Sequence, residues 1–285
     1  SGLRSEGLKQ RRGAGGSQNN SQNDINSSDS QNNNRRSSYD NKGGLTKNDD
    51  RDDDNGKESK QNRLTLLDEV FLLGLKDAQV LRGCILMELS LRGRIATVKE
   101  VRKRPFADRI VEVIDDKNTG EVILDEALKL IKIDKQTVSS WIDLLSGETW
   151  NLMKVGYQLK QVRERIAKGL VDKGVLRTEK RNFVLFDMAT HPVANQLVKD
   201  QLIQRVVDTL LGRGPPPDSR AIATVCAAYA ANVLENALVG LSHTQREAAF
   251  TKVDELLLEH SVLGEKAKAI GTSDIMAGVL VVYTK

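Results

Sequence analysis

Clustered basic residues define the chemistry this sequence could do. Lys160 and Arg163 lie three apart, and a helix through that run would project both from one face, away from an apolar stripe at Leu159 and Val162. Arg82-Gly83 belongs to a different apolar run, and Lys180-Arg181 follows the long basic segment. Cations converging from separate elements can fork around a phosphate monoester, which carries roughly −1.5 to −2 charge near neutrality. An ordinary solvated helix face has the same composition, so both readings stay open on spacing alone. The four apolar residues Phe183-Val184-Leu185-Phe186 pose a similar choice. Either the domain covers both faces of a buried strand, or one face meets a membrane or a second subunit.

Catalytic constellations are weak by comparison. His191, His243 and His260 are scattered without metal-ligand spacing, so no metal or cofactor is expected. Ser146-Gly147-Glu148 lacks the glycine two residues before the serine that a nucleophile elbow needs. Gly212-Arg213-Gly214 lacks the Lys-Ser/Thr of a phosphate-cradling loop. Asp125-Glu126 at a helix start is favourable dipole chemistry and no more. The chain does not read as an enzyme.

The elements that would position these residues are mostly helical. Thr65-Leu66-Leu67-Asp68 is a capping-box pattern before an apolar run to Leu75, and a second helix spans Leu81 to Leu91. Ile95–Val98 and Ile110–Ile114 are β-branched and short, as strands are. Helices follow around Val122–Ile131 and, capped by Thr137 and closed by Gly147, over Val138–Leu145. The spacing of Leu152, Val155, Leu159, Val162, Ile166 and Leu170 predicts one long amphipathic helix from about Thr149 to Lys173. A hairpin with strands Val175–Thr178 and Phe183–Phe186 should follow, turning through the basic tip Glu179-Lys180-Arg181-Asn182. Pro192, with His191 and Thr190 as caps, opens a helix to Leu211. Beyond the break at Gly212–Asp218, Ala221–Leu238 is small and apolar on most sides and reads as the central core helix. Ser242-His243-Thr244-Gln245 then caps a helix to about Leu258.

This pattern gives a mainly α fold. Residues 61–285 form a single compact helical domain around a central apolar helix, with a surface β-hairpin and, over residues 1–60, a disordered polar tail. The tail holds only six apolar side chains (Leu3, Leu8, Ala14, Ile25, Tyr39, Leu45), too few to offset the entropy of ordering it. It also holds 11 of the 43 Lys+Arg and 10 of the 39 Asp+Glu, so the rest of the chain is nearly balanced and any anion site must be a local patch. Arg11-Arg12 is either a short docking motif or an accident of composition, and Arg35-Arg36-Ser37-Ser38 resembles a basophilic kinase site around Ser38. Cys84 and Cys226 fall in apolar helical patterns, which suggests buried thiols and a reducing compartment. Ser1-Gly2-Leu3-Arg4 shows no apolar leader, and Ile275–Tyr283 is far short of the ~20 apolar residues of a span. The expectation is a protein that lies on a membrane without crossing it.

Several of these segments resemble the Golgi phosphoprotein 3 family of peripheral Golgi proteins. The resemblance rests on Arg63-Leu64-Thr65-Leu66, Leu72-Leu73-Gly74-Leu75-Lys76-Asp77, Leu81-Arg82-Gly83-Cys84 and Leu124-Asp125-Glu126-Ala127-Leu128. It continues through Trp141–Asn151, the basic segment with its hairpin, and Asn232-Val233-Leu234-Glu235-Asn236. It implies a non-enzymatic adaptor that binds phosphatidylinositol 4-phosphate on the cytoplasmic face of the Golgi, with a soluble cytosolic pool. Such an adaptor retains glycosyltransferases by linking their cytoplasmic tails to the coatomer coat for retrograde vesicle transport, and forms homo-oligomers. The family's headgroup-binding positions fall on Arg82, Lys160 and Arg163. Its membrane-insertion or self-association hairpin falls on about Glu179–Thr190, covering Lys180, Arg181, Phe183, Val184, Leu185 and Phe186. Its coat-binding arginines correspond loosely to Arg11 and Arg12. One departure concerns the lipid pocket. The family carries a Trp-containing segment between the Lys-Asp and Leu-Arg-Gly motifs, whereas here Asp77 reaches Leu81 through Ala78-Gln79-Val80 alone.

Two rival classes remain. A basic helix with a basic-tipped hairpin would also suit a winged-helix-like nucleic-acid binder, although the near-balanced charge and the apolar strand speak against nucleic acid as a partner. A purely structural oligomer would self-associate without preferring anions.

Overall fold

The computed structural model describes residues 63–74, 77–101, 104–183, 186–261 and 273–284, with the backbone alone for Ala78 and within 181–189. The polar tail, and with it Arg11 and Arg12, lies outside the described residues. So do Val184 and Leu185.

Helix α1 (Leu66–Leu72) starts where the sequence places it. Thr65 Oγ1 accepts the Asp68 amide while Asp68 accepts the Thr65 amide, so two unpaired helix-end donors are satisfied reciprocally. Helix α2 (Ala78–Leu91) is capped by Asp77, and every residue from Val80 to Leu89 is buried. A helix apolar on all sides belongs at the centre of a core. Within that buried stretch the charged exceptions are Arg82 and Glu88.

Two short strands, β1 (Ile95–Thr97) and β2 (Val111–Val113), pair antiparallel with Ile95 opposite Val113. Helices α3 (Val122–Ile133) and α4 (Val138–Ser146) follow. Thr137 caps α4, and Gly147 ends it in the left-handed conformation, at φ 85°, that glycine adopts without strain.

The predicted long helix does not form. A 3-10 turn, Leu152–Tyr157, is followed by extended chain, and α5 begins only at Val162 and ends at Asp172. Three local features break the periodicity. The Asn151 side chain accepts the Met153 amide and so competes with helical bonding. Gly156 lowers helix propensity in the middle of the segment, and Gln161 sits in the left-handed region at φ 51° immediately before α5. Consequently Leu152 and Val155 are exposed, while Leu159, Val162, Ile166 and Leu170 form the expected buried stripe.

The hairpin is real but its register differs. Strands β3 (Glu179–Phe183) and β4 (Phe186–Thr190) pair from Glu179↔Thr190 to Phe183↔Phe186. Lys180 and Arg181 therefore lie along β3 and not at a basic tip, and the ladder closes on the two phenylalanines. Val175 and Leu176 are buried with their amides on the Leu170 carbonyl at the end of α5, and Leu176 makes only an isolated antiparallel bridge to Val193, outside the main ladder. Helix α6 (Gln196–Leu211) opens at Asn195 and not at Pro192. Thr190 is paired in β4, and the Pro192 carbonyl accepts the Arg177 amide, so this stretch serves the hairpin and not the helix.

Helix α7 (Ser219–Ala230) is buried from Ala221 to Ala228 and packs against both α1 and α2, so α2 and α7 share the central position. It is shorter than its apolar sequence suggests. Asn232 takes φ 55°, and the chain re-enters helix only as the single turn α8 (Glu235–Leu238). Helix α9 (His243–Ser261) begins with the expected box, Ser242 and Gln245 exchanging backbone and side-chain bonds. Helix α10 (Asp274–Tyr283) packs on α2, where Tyr283 Oη donates to the Val80 carbonyl at 2.7 Å. A Cβ at Gly83 would collide with Tyr283 Oη, which explains the glycine in the Arg82-Gly83 pair. All the described residues lie in one compact unit, Asp50–Lys285, and among them no helix is long and apolar enough to cross a membrane.

Candidate functional site

The site is assembled where α2, the end of α4 and the start of α5 meet. Arg82 projects from α2 and is 7% exposed. Its Nε donates to the Leu145 carbonyl at 3.1 Å and its Nη2 to the Leu159 carbonyl at 3.0 Å. The Leu159 amide closes the same junction by donating to the Leu145 carbonyl at 3.1 Å. Gln158 Nε2 adds a bond to the Ser146 carbonyl, lying where a side chain at Gly147 would otherwise clash. Arg82 thus clasps the two ends of the loop between α4 and α5. Burial lowers its pKa from the ordinary arginine value, against the opposing pull of Asp77 and Glu148, and the guanidinium stays charged.

Lys160 follows the clasped Leu159 directly and is exposed. Arg163, in the first turn of α5, is exposed and lies over the Phe71 ring of α1, 5.8 Å from its centroid. The left-handed Gln161 interrupts the helix between them, so their three-residue spacing is not a helical one; instead Arg82 fixes the backbone that carries Lys160 and Phe71 steadies Arg163. Neither residue makes an ion pair with a described residue. Of their basic neighbours on α5, Arg165 pairs with Glu126 at 2.5 Å and Lys173 with Asp68 and Glu121 at 2.6 and 2.7 Å, whereas Lys168 is exposed and, like them, makes no ion pair with a described residue.

A cavity of about 780 Å³ lies nearby among α1, α3 and α5. Asp68, Glu121, Arg165 and Lys173 line it, so its charges largely neutralise one another. An anion entering it would have to displace carboxylates. Of the hairpin residues, Lys180 is exposed on β3, and Arg181, Phe183 and Phe186 hold ladder positions.

Residues 66–272 match the Golgi phosphoprotein 3 (GPP34) family. The chain belongs to that family. It is 54% identical over 233 residues to vacuolar protein sorting-associated protein 74 of Schizosaccharomyces pombe, covering 72% of this chain and 69% of the relative. The protein of the same name from Eremothecium gossypii is 46% identical over 233 residues, covering 72% and 70%. An aligned length of 233 exceeds 72% of a 285-residue chain, so both relatives carry positions that this family member lacks.

Sequence reasoning missed a buried charge network behind the site. Glu88, fully buried on α2, accepts the Leu66 amide at 2.8 Å, Arg92 Nε at 2.7 Å and Arg220 Nη2 at 2.7 Å, and so joins α1, α2 and α7. Burial pushes its pKa up, but Arg220, the Leu66 amide and Arg92 outweigh that and hold it below the ordinary 4.5. Glu69 pairs with Arg205 at 2.6 Å and accepts from Thr224, yet burial dominates and raises its pKa. The signal available was a lone Glu inside the apolar run Cys84-Ile85-Leu86-Met87-Glu88-Leu89, which demands a buried cation from elsewhere.

Proposed function

We propose that this protein is a non-enzymatic sorting adaptor that binds phosphatidylinositol 4-phosphate on the cytoplasmic face of the Golgi. It retains glycosyltransferases there by linking their cytoplasmic tails to coatomer for retrograde transport, as a homo-oligomer exchanging with a cytosolic pool. Family membership and the sorting role in its relatives' names support the Golgi-associated, protein-transport part of this reading. The observation that carries the lipid part is the exposed pair Lys160 and Arg163, without carboxylate partners among the described residues, beside the buried charge of Arg82. Lys160 and Arg163 supply charge-assisted hydrogen bonds to the 4-phosphate. Arg82 adds its field and holds Lys160 in place. The hairpin, whose ladder ends on the paired Phe183 and Phe186, supplies apolar insertion, because one weak anchor seldom keeps a protein on a membrane. Arg11 and Arg12 are assigned to the coat.

Flotation with vesicles containing phosphatidylinositol 4-phosphate or phosphatidylserine at matched total charge tests this. Preference for the phosphoinositide, lost in Arg163→Ala, is expected. Equal binding to both lipids would remove headgroup recognition, and steep salt-dependent binding to duplex DNA would favour the nucleic-acid reading instead.

A further inference from the structure

The loop that Arg82 clasps turns apolar side chains outward. Trp150 is fully exposed, Leu152 and Met153 are 87% and 89% exposed, and Val155 is 47% exposed. Neighbours in one short segment make a patch, unlike the single hydrophobic residues scattered over most surfaces. The inner side of the loop is fastened. Tyr157 meets the buried Trp141 edge-on with ring centroids 5.6 Å apart, its Oη donates to Asp134 at 3.5 Å, and Lys154 Nζ lies 3.6 Å from the same carboxylate. With Arg82 and the Leu159 amide holding the base, the loop has a defined shape whose outer face is apolar.

Size and charge decide what could cover that face. Four such side chains offer on the order of a few hundred Å², well under the ~800 Å² per partner of a stable protein–protein interface. Lys160 and Arg163 stand just past the base of the loop, exposed and without ion pairs among the described residues. A loop that carries a tryptophan and is followed by cations has the composition that settles at a lipid–water boundary, ring in the interface and charge toward headgroups.

We infer that loop 150–155 inserts into the interfacial layer of an anionic membrane, as an anchor beside Lys160 and Arg163 and distinct from the hairpin. This rests on the lipid-directed reading above and adds a contact to it. The loop and the chain that carries Lys160 and Arg163 are joined through Arg82, so headgroup capture and loop insertion share one junction.

The chain has two tryptophans, and Trp141 is fully buried, so changes in emission on membrane binding report on Trp150. The full chain is mixed with vesicles of phosphatidylcholine, phosphatidylserine and phosphatidylinositol 4-phosphate, with and without acyl chains brominated near the headgroup. A blue shift and quenching by bromolipid are expected, both missing from Trp150→Phe. The triple variant Trp150→Ser/Leu152→Ser/Met153→Ser should unfold as cooperatively as the parent and bind vesicles at least about ten-fold more weakly. Flotation with an unshifted, unquenched Trp150 would overturn the insertion and leave the headgroup site standing. Failure to float on any of these vesicles would overturn both. A blue shift that grows with protein concentration in the absence of vesicles would overturn the insertion in favour of self-association.

Discussion

Trp141 and Trp150 stand on either side of the end of α4 and meet opposite fates. Trp141 is fully buried among Ile142, Leu145 and the rest of the core, while Trp150 opens a loop whose apolar residues face outward. Both stretches carry apolar residues at helical spacing, so periodicity does not separate them. Backbone chemistry does. Helix α4 has a threonine cap at its start and a left-handed glycine at its end, whereas the following segment meets Asn151, Gly156 and the left-handed Gln161. A stripe becomes a core only where the helix that carries it is allowed to continue.

Substitutions should separate the two regions sharply. Trp141→Ala is expected to cost about 3–5 kcal/mol of stability through the cavity it leaves, and Trp150→Ala less than about 0.5 kcal/mol, both read from denaturant midpoints at constant slope. Comparable losses would mean that the loop is packed in solution. Glu88→Ala belongs with the first group. It strands Arg220 in the core and should cost about 3–5 kcal/mol, with a double-mutant cycle to Arg220→Met recovering much of the loss.

Arg82→Ala should have an intermediate effect, about 1–3 kcal/mol, because it leaves the Leu145 and Leu159 carbonyls short of donors. Hydrogen exchange at the Leu159 amide should speed up far more than at amides of α7. Uniform acceleration would show that Arg82 stabilises the whole domain and not the loop. The buried thiols offer a complementary check. Burial pushes Cys84 and Cys226 up to about 12, so labelling by a thiol reagent should track global unfolding.

The smallest effect concerns pH. His260, buried near the end of α9, has its pKa lowered from the ordinary 6.5 by burial, against a weaker opposing pull from Glu259. The unfolded chain then binds a proton that the folded chain refuses, so stability falls as pH drops from 6.5 toward the folded pKa. The parent should lose stability between pH 7.5 and 5.5 more steeply than His260→Gln, and parallel profiles would assign the slope to other groups.

Much of this fold was legible because local capping chemistry agrees with the hydrophobic pattern. The reciprocal bonds of Thr65 and Asp68, the Thr137–Gly147 bounds of α4 and the Ser242–Gln245 box all fall where the sequence puts them. Two things were not legible, and both are non-local. The hairpin pairs Glu179–Phe183 with Phe186–Thr190 and closes on the two phenylalanines, while Val175 and Leu176 pack into the core and Leu176 bridges Val193 outside that ladder. Here the resemblance to a family, which centres the hairpin on those residues, did better than counting apolar positions. The role of Arg82 in bracing the junction depends on two carbonyls more than sixty residues away in sequence, so spacing marked it as basic without showing what it holds. The helical spacing that pairs Lys160 with Arg163 fails at Gln161, yet both are exposed within four residues of the Leu159 carbonyl that Arg82 holds.

The most direct test is isothermal titration of the full chain with water-soluble glycerophosphoinositol 4-phosphate, which isolates headgroup recognition from insertion by hairpin or loop. Saturable binding that disappears in Lys160→Ala/Arg163→Ala and persists in Trp150→Ser is expected. No saturable binding, or binding unchanged in the double variant, would contradict the assignment of these two residues to the phosphate.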